Sequence, residues 1–290
     1  SDRTMKLLYV IPYAPTPIRV RPYSLLRHMV RRGHQVALAT VWESPEERQA
    51  LDALGQMGID VHAMPLTRAH KLLNVARSLP AGWPIQASYS WNRRLMERIR
   101  QIIRDQAPDV VHVEHLRGAR FGLEVLEHVP AGSGPALVWD SVDCISYLFS
   151  QASRQSRGWF GRLVTRLELG RTRRFEALVT RRFQHVTITS AKDQLELARV
   201  AGLSAEVARR RIQVLPNGVD VDYFSLPPAG ANATAPMTSP NLVFSGKMSY
   251  HANLTTAMHL VAEIMPRVWE QCPEVTLYLV GKDPPAVLRR

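Results

Sequence analysis

Two arginines, Arg19 and Arg21, stand between a predicted strand and the helix that follows it, where they could bind an anion. A guanidinium group and the free N–H groups of a helix N-terminus both favour phosphate, so this loop is a candidate phosphate site. The glycines that usually let phosphate approach the backbone are missing, and a solvated basic loop is the alternative interpretation. No GxGxxG pattern follows the strand, which argues against a dinucleotide-dependent dehydrogenase.

His115 and Asp140 follow two later predicted strands and could act on a bound substrate. His115 lies just past its strand, where an imidazole pKa near neutrality suits a hydrogen-bond donor or an acid–base group. Asp140 could orient substrate hydroxyl groups or support a catalytic histidine. Both residues also fit structural roles, as a hydrogen-bonded histidine and a helix cap. His112, inside its strand, is interpreted as structural.

Two further strand ends carry small and polar residues. Asn217-Gly218 has the composition of a tight turn. Gly246 permits close approach of a ligand to the backbone, and Lys247 beside it supplies a point charge suited to a diphosphate. Ligands of doubly wound sheets bind at the carboxyl ends of strands, so these pairs are candidate binding residues.

Alternating apolar and amphipathic segments must position these residues, and they predict an α/β fold with a doubly wound parallel sheet. Ser44, Pro45 and Glu47 match a capping box at the start of one helix. Helices are predicted over residues 22–32, 45–57, 71–79, 91–106, 121–126 and 159–183, and another begins after Ser190. The predicted strands are Lys6–Ile11, Gln35–Val41, Ile59–Met64, Asp109–Val113, Ala136–Trp139, His185–Thr189 and Ile212–Leu215.

A stretch rich in Pro, Ala, Gly, Thr and Ser, without a charge, interrupts this pattern and predicts a linker over 226–240. Beyond it, a strand at 241–245, a helix at 253–271 kinked near Pro266 and a strand at 275–280 form one βαβ unit. We therefore expect a domain over 1–225 and the start of an incomplete second domain over 241–290.

The composition excludes several classes of protein. The chain has 290 residues, 46% of them hydrophobic and 21% charged, and no apolar run near the roughly 18 residues that a membrane-spanning helix needs. Cys144 and Cys272 offer no metal-ligand spacing, so no metal is predicted, and their scarcity suits a reducing cytoplasm. The net charge of +12 favours a polyanion or an acidic surface as a partner.

An arginine-rich helical stretch holds much of this charge. A basic helix that starts with aromatic residues is typical of binding to an anionic membrane surface, here at the inner face of the membrane. A solvated helix face is the alternative, and the absence of a recognition motif argues against nucleic acid. The candidate membrane-facing residues are Trp159, Arg162, Arg166, Arg173 and Arg174.

Three segments together resemble one enzyme family: Ile212–Asp220, which contains Pro-Asn-Gly-Val-Asp, Leu242–Asn253 and Leu279–Pro285. The sequence is similar to retaining glycosyltransferases of the GT-B fold, family four, in a bacterial subgroup of polysaccharide assembly. The resemblance implies two Rossmann-like domains, the first on the acceptor side and the second on the donor side.

The resemblance also implies roles for the candidate residues. Gly246 and Lys247 would bind the donor diphosphate, with Arg19 and Arg21 in a loop that usually carries glycines. Asn217 and Gly218 would lie at the interdomain crossover, and His115 would face the transferred sugar. The sequence departs from the family at Asn253, where a second basic residue is usual, and it stops at Arg290, before the segment that carries two glutamates in the family.

We expect, on this resemblance, transfer of a hexose from a nucleoside diphosphate sugar to a polysaccharide or lipid-linked acceptor, with retention and without a cofactor. Lys247 would stabilise the departing diphosphate, and His115 and Asp140 are the predicted catalytic residues. Two alternatives stay open: a non-catalytic or truncated module that binds acceptor or membrane, and a sugar-nucleotide epimerase of the same architecture.

Overall fold

The computed structural model describes residues 3–128, 134–153, 159–225 and 240–288, and within these ranges the side chains of 152–164 are left out. The chain divides into two compact units, Ser1–Asp220 and Val221–Arg290. The predicted linker over 226–240 lies outside the described residues apart from Pro240, so the predicted limits of the two domains stay predictions.

Seven strands of the first unit form one sheet in which every neighbouring pair is parallel. They are β1 (Lys6–Ile11), β2 (Gln35–Trp42), β3 (Asp60–Pro65), β4 (Val110–Glu114), β5 (Ala136–Val142), β6 (His185–Ile188) and β7 (Ile212–Val214). The order across the sheet is β3-β2-β1-β4-β5-β6-β7, so the winding reverses between β1 and β4. The predicted doubly wound α/β fold is confirmed.

Helices cover this sheet. Those described are α1 (Val20–Arg31), α2 (Pro45–Gln56), α3 (Arg68–Ala81), α4 (Ile85–Tyr89), α5 (Arg93–Gln106), α6 (His115–His128), α7 (Ile145–Ser153), α8 (Trp159–Arg182), α9 (Ala191–Ala201) and α10 (Ala205–Arg211). Leu7, Tyr9 and Ile11 of β1 lie in one apolar cluster, and Leu8 and Val10 lie in another. Because successive strand residues point to opposite faces, both faces of the sheet are buried.

The two capping residues identified in the sequence, Ser44 and Ser190, cap helices in the structure, whereas α3 begins at Arg68, three residues before its predicted start. Ser44 Oγ accepts the N–H of Glu47 at 3.3 Å, as the capping box predicts, although Glu47 itself accepts the N–H of Glu43. The start of α7 was not predicted, because its capping group is the fully buried carboxylate of Glu176, 30 residues away, which accepts the N–H of Ser146. Burial raises the pKa of Glu176 to about 7.

The second unit contains the predicted βαβ arrangement. Strands β8 (Asn241–Ser245) and β9 (Thr276–Val280) are parallel, and between them lie α11 (His251–His259), a π-helical segment (Leu260–Ile264) and α12 (Met265–Gln271). The π-helical segment ends just before Pro266, so the interruption of the helix that the sequence predicts is confirmed. Apolar strand residues such as Val243 and Val280 are more than half exposed.

Helix α6 begins six residues earlier than the predicted start at Phe121, and it contains two glycines that disfavour a helix in isolation. Both lie where the helix approaches the sheet closely. A Cβ atom at Gly122 would be 2.4 Å from the ring of Phe183 and 3.0 Å from Val113. Phe183 is fully buried, so it has no room to move aside.

Gly122→Ala is therefore expected to destabilise the fold by about 1–3 kcal/mol, since steric overlap outweighs the better helix propensity of alanine. Gly170 of α8 is the matched control, because a Cβ atom there would meet nothing within 4 Å. Urea unfolding should show that Gly170→Ala leaves stability unchanged or raises it. Equal midpoints for the two variants would contradict the close approach at Gly122.

Candidate active site at the switch point of the sheet

Polar side chains gather at the carboxyl ends of β1, β4 and β5, beside the point where the winding of the sheet reverses. Ligands of open α/β sheets bind at this position. Tyr13 follows β1, Glu114 ends β4, His115 begins α6, and Asp140 lies near the end of β5 opposite Glu114 in the register. The structure thus brings together residues that are far apart in the sequence.

Arg21 and Asp140 form the central ion pair of this cluster. Arg21 Nε donates to Asp140 Oδ2 at 2.8 Å and Nη2 donates to Oδ1 at 3.1 Å, a bidentate arrangement. The side chains are 8% and 0% exposed. Arg21 Nη1 also donates to the carbonyl of Leu215 and to Asn217 Oδ1, so one guanidinium joins the first turn of α1, β5 and the segment after β7.

Asp140 is ionised within the protein interior. Burial opposes its charge, but the neighbouring His112 and Arg21 stabilise the carboxylate and lower its pKa to about 2. His112 Nε2 lies 3.6 Å from Oδ2, and its ring lies 4.7 Å from that of Tyr9. These contacts are those of an internal ion pair, and the catalytic role of Asp140 stays a prediction. The structural interpretation of His112 fits this position.

Glu114 is a member of the cluster that we did not select from the sequence. Tyr13 Oη donates to Glu114 Oε1, while Oε2 is buried and has no hydrogen-bond partner among the described residues. Burial raises the pKa of Glu114 to about 7, against the opposing effect of the Tyr13 hydrogen bond. A carboxylate inside an apolar strand was the available signal, since such a group needs a partner or a proton.

His115 begins α6 with a φ of +61°, a conformation that costs energy in a residue other than glycine. Its Nδ1 accepts the N–H of Arg117 at 3.3 Å, so the neutral ring carries its proton on Nε2. Burial and the charge of Arg117 lower the pKa of His115 to about 4. The near-neutral pKa expected from the sequence is therefore wrong, and the ring is an uncharged donor at neutral pH.

Arg19 and Asn217-Gly218 flank the cluster. The Arg19 guanidinium lies 4.7 Å from the centre of the Tyr13 ring, and its Nη1 contacts the carbonyl of Ala14 and Glu47 Oε1. Residues 215–220 form no turn and Gly218 has no positive φ, so the predicted tight turn at Asn217-Gly218 is wrong. Arg21 instead donates a hydrogen bond to the Asn217 side chain.

The predicted diphosphate residues Gly246 and Lys247 lie in the second unit, at the carboxyl end of β8. A Cβ atom at Gly246 would be 2.7 Å from Asn253 Nδ2, which donates to the carbonyl of Lys247. Gly281, after β9, approaches so closely that a Cβ atom there would overlap the Gly246 carbonyl. Lys247 itself is exposed, so its amino group is accessible to a ligand.

Of the candidate membrane-facing residues, Arg166, Arg173 and Arg174 are exposed on α8. The side chains of Trp159 and Arg162 lie outside the described residues. Among the helices that the structure describes, none is both long enough and apolar enough to span a bilayer.

Arg21→Lys keeps the positive charge but loses the bidentate pairing and the bonds to the segment after β7, so we expect a loss of about 1–3 kcal/mol of stability. Arg27→Lys is the control, because Arg27 pairs with Asp220 through one contact at 3.2 Å and both side chains are more exposed. Chemical unfolding should show that the control substitution lowers the free energy of unfolding by less than about 1 kcal/mol. Equal costs would contradict the central position of Arg21.

Solved structures share the fold at low sequence identity. Sucrose-phosphate synthase from Thermosynechococcus elongatus is 14% identical with a TM-score of 0.56, over 97% of this chain and 63% of that one. UGT2 of Phytolacca americana, complexed with UDP-2fluoro-glucose and pterostilbene, is 10% identical with a TM-score of 0.50, over 97% and 72%. A glycosyltransferase from Rickettsia africae is 12% identical with a TM-score of 0.48, over 97% of this chain and 69% of that one. This chain thus spans about two thirds of their length, and it has the GT-B fold.

No curated protein matches the sequence. The model of Glycosyltransferase Family 4 matches residues 19–223, which is more than half of the chain. The match includes the loop of Arg19 and Arg21, the switch-point cluster with His115 and Asp140, and the segment of Asn217 and Gly218. The chain therefore belongs to Glycosyltransferase Family 4.

Proposed function

We propose that this glycosyltransferase moves a hexose from a nucleoside diphosphate sugar to a polysaccharide or lipid-linked acceptor, with retention at the anomeric carbon. The observation that carries the proposal is the match of residues 19–223 to Glycosyltransferase Family 4. The Phytolacca protein was solved with UDP-2fluoro-glucose, which supports a nucleoside diphosphate sugar as donor. The bacterial polysaccharide subgroup rests on the sequence resemblance.

The donor diphosphate would bind at the Gly246–Lys247 loop. Asn253 donates to the carbonyl of Lys247 and so helps to hold the loop, while the exposed Lys247 amino group is accessible to a phosphate. As the bond to the sugar breaks, negative charge develops on the leaving diphosphate, and a fixed cation lowers the energy of that state. We expect Lys247 to supply this cation, without a metal.

His115 would act as a hydrogen-bond donor to the transferred sugar rather than as a base. Its pKa near 4 keeps the ring neutral, and Nδ1 is already bonded to Arg117. The Nε2–H group is then the one available to a hydroxyl group. The left-handed backbone at this residue is consistent with a functional constraint on the orientation of the ring.

Thermal unfolding with UDP, GDP, ADP and their sugars tests the donor site. At a hundredfold excess over the dissociation constant, the matching nucleotide should add about 2.7 kcal/mol of stability, a shift of several degrees. Lys247→Ala should lose most of this shift without changing the ligand-free midpoint, because Lys247 is exposed.

Arg267→Ala is the matched control, an exposed cation on α12 of the same unit. Its nucleotide shift should equal that of the unmodified chain. An unchanged shift in Lys247→Ala would remove Lys247 from the donor site. The lack of any nucleotide shift would instead favour a non-catalytic module that binds acceptor or membrane.

We also propose that the protein binds an anionic membrane surface peripherally, at the cytoplasmic face. Arg166, Arg173 and Arg174 are exposed on α8, and α3 exposes Leu72 with 72% of its surface and Leu79 with 50%. The helices are in contact, since Arg171 Nη2 of α8 donates to the carbonyl of Leu79. Exposed leucines next to arginines are typical of a surface that enters the headgroup layer.

Arg173→Glu with Arg174→Glu is expected to lower binding to phosphatidylglycerol vesicles more than tenfold, because each cation near such a surface contributes about 1 kcal/mol. Arg31→Glu with Arg32→Glu changes the charge equally at the C-terminal end of α1 and is the control. Vesicle sedimentation measures the difference. Equal losses in the two double variants would show that only net charge matters and would contradict a binding face on α8.

A further inference from the structure

Two adjoining cavities open in the first unit near the carboxyl end of β3. The larger, of about 380 Å³, is lined by the end of β3, by α3 and by the start of α5. The smaller, of about 130 Å³, extends toward α4 and α6. Asn74, Arg77 and Trp91 line both cavities, so the two are parts of one depression. None of its lining residues belongs to the switch-point cluster.

The lining of this depression is strongly basic. Arg77, Arg93, Arg94 and Arg120 contribute guanidinium groups, and no carboxylate lines either cavity among the described residues. Arg93 pairs with Glu97, and the other three form no ion pair in the part of the chain that the structure describes. Burial lowers the pKa of Arg120, Glu124 opposes this effect, and the nearby charge of Arg77 adds to it. Arg77 and Arg120 thus line the smaller cavity together, while Glu124 lies outside its lining and pairs with Arg100.

Aromatic rings and unpaired polar atoms complete the depression. The Arg120 guanidinium lies 3.9 Å from the ring centre of Trp91 and 4.7 Å from that of Trp83. Ser88 is 1% exposed, and its Oγ, like Arg120 Nε, has no hydrogen-bond partner among the described residues. Buried polar atoms are rarely left unpaired, so these two mark places where a ligand could bond.

The rigidity of the depression also favours binding. Asn74 is buried, and its Nδ2 donates to the carbonyls of Tyr89 and Trp91 at 3.3 and 2.8 Å. Trp91 is stacked on Phe121 with ring centres 4.9 Å apart. The tryptophan ring is therefore held in place before a ligand arrives, which reduces the entropy lost on binding.

We propose that this depression binds a sugar ring that carries an anionic group, a carboxylate or a phosphate, on the acceptor side of the enzyme. The proposal rests on the proposed function, because it names the chemical class of the acceptor. Guanidinium forks suit both anions, and the larger cavity, of about 380 Å³, has room for a sugar ring. A neutral sugar would leave the paired charges of Arg77 and Arg120 uncompensated.

The test follows the tryptophan indole N–H signals of the ¹⁵N-labelled chain by NMR, without any nucleotide. Trp83→Phe and Trp91→Phe variants assign the two signals from the depression. Methyl glucuronide and glucose 1-phosphate are the anionic probes, and methyl glucoside is the neutral one. We expect at least one anionic probe to shift these signals at millimolar concentration, and the larger response identifies carboxylate or phosphate as the anion.

Arg77→Gln should weaken binding of the anionic probe about tenfold, the effect of losing one charge-assisted hydrogen bond. Arg68→Gln, an exposed arginine on the same helix outside both cavities, should leave it unchanged. Equal shifts with methyl glucoside, equal effects of the two substitutions, or no shift with either anionic probe would overturn the proposal. If the proposed donor function is wrong, the nucleotide experiment shows it and this one does not, since no nucleotide is present here.

Discussion

The bidentate pairing of Arg21 with Asp140 holds the carboxyl edge of the sheet together. The pair joins the start of α1, the end of β5 and the segment after β7. Buried ion pairs are weak sources of net stability, but the loss of one partner leaves a buried charge and is expensive. The geometry of this edge is therefore specified by one guanidinium, whose planar fork fits only one arrangement of its acceptors.

Arg21 determines the charge state of Asp140 together with His112, and burial determines that of two neighbouring groups. Asp140 stays ionised because Arg21 and His112 balance it, whereas Glu114 and His115 lie in surroundings too poor in water to favour their charged forms. The pKa of Glu114 is near 7 and that of His115 near 4, so His115 is uncharged at neutral pH and Glu114 titrates there. Uncharged hydrogen-bonding groups suit a substrate made of hydroxyl groups, as the proposed function requires.

The sequence predicts those features that depend on local patterns. Strands such as Lys6–Ile11 are bounded correctly because burial on both faces makes an uninterrupted apolar run, and Ser44 marks its helix by direct capping. Features that depend on distant partners were missed. Glu176 caps the start of α7, Arg21 binds the Asn217 side chain, and α6 requires Gly122 for a contact with Phe183 that no local pattern encodes. The importance of Glu114 and Gly281 likewise appears only once the strands are side by side.

Composition alone does not show which of the arginines that give the chain its charge of +12 stabilise the fold and which are accessible to a ligand or a surface. The position of the nearest carboxylate distinguishes these roles. The buried Asp140 carboxylate balances the charge of Arg21, whereas Arg173 is exposed on a helix surface. Arg120 is partly desolvated in a cavity that Arg77 also lines, and it forms no ion pair among the described residues, although Glu124 favours its charge. An anion in the depression beside Trp91 would favour the charged forms of both arginines.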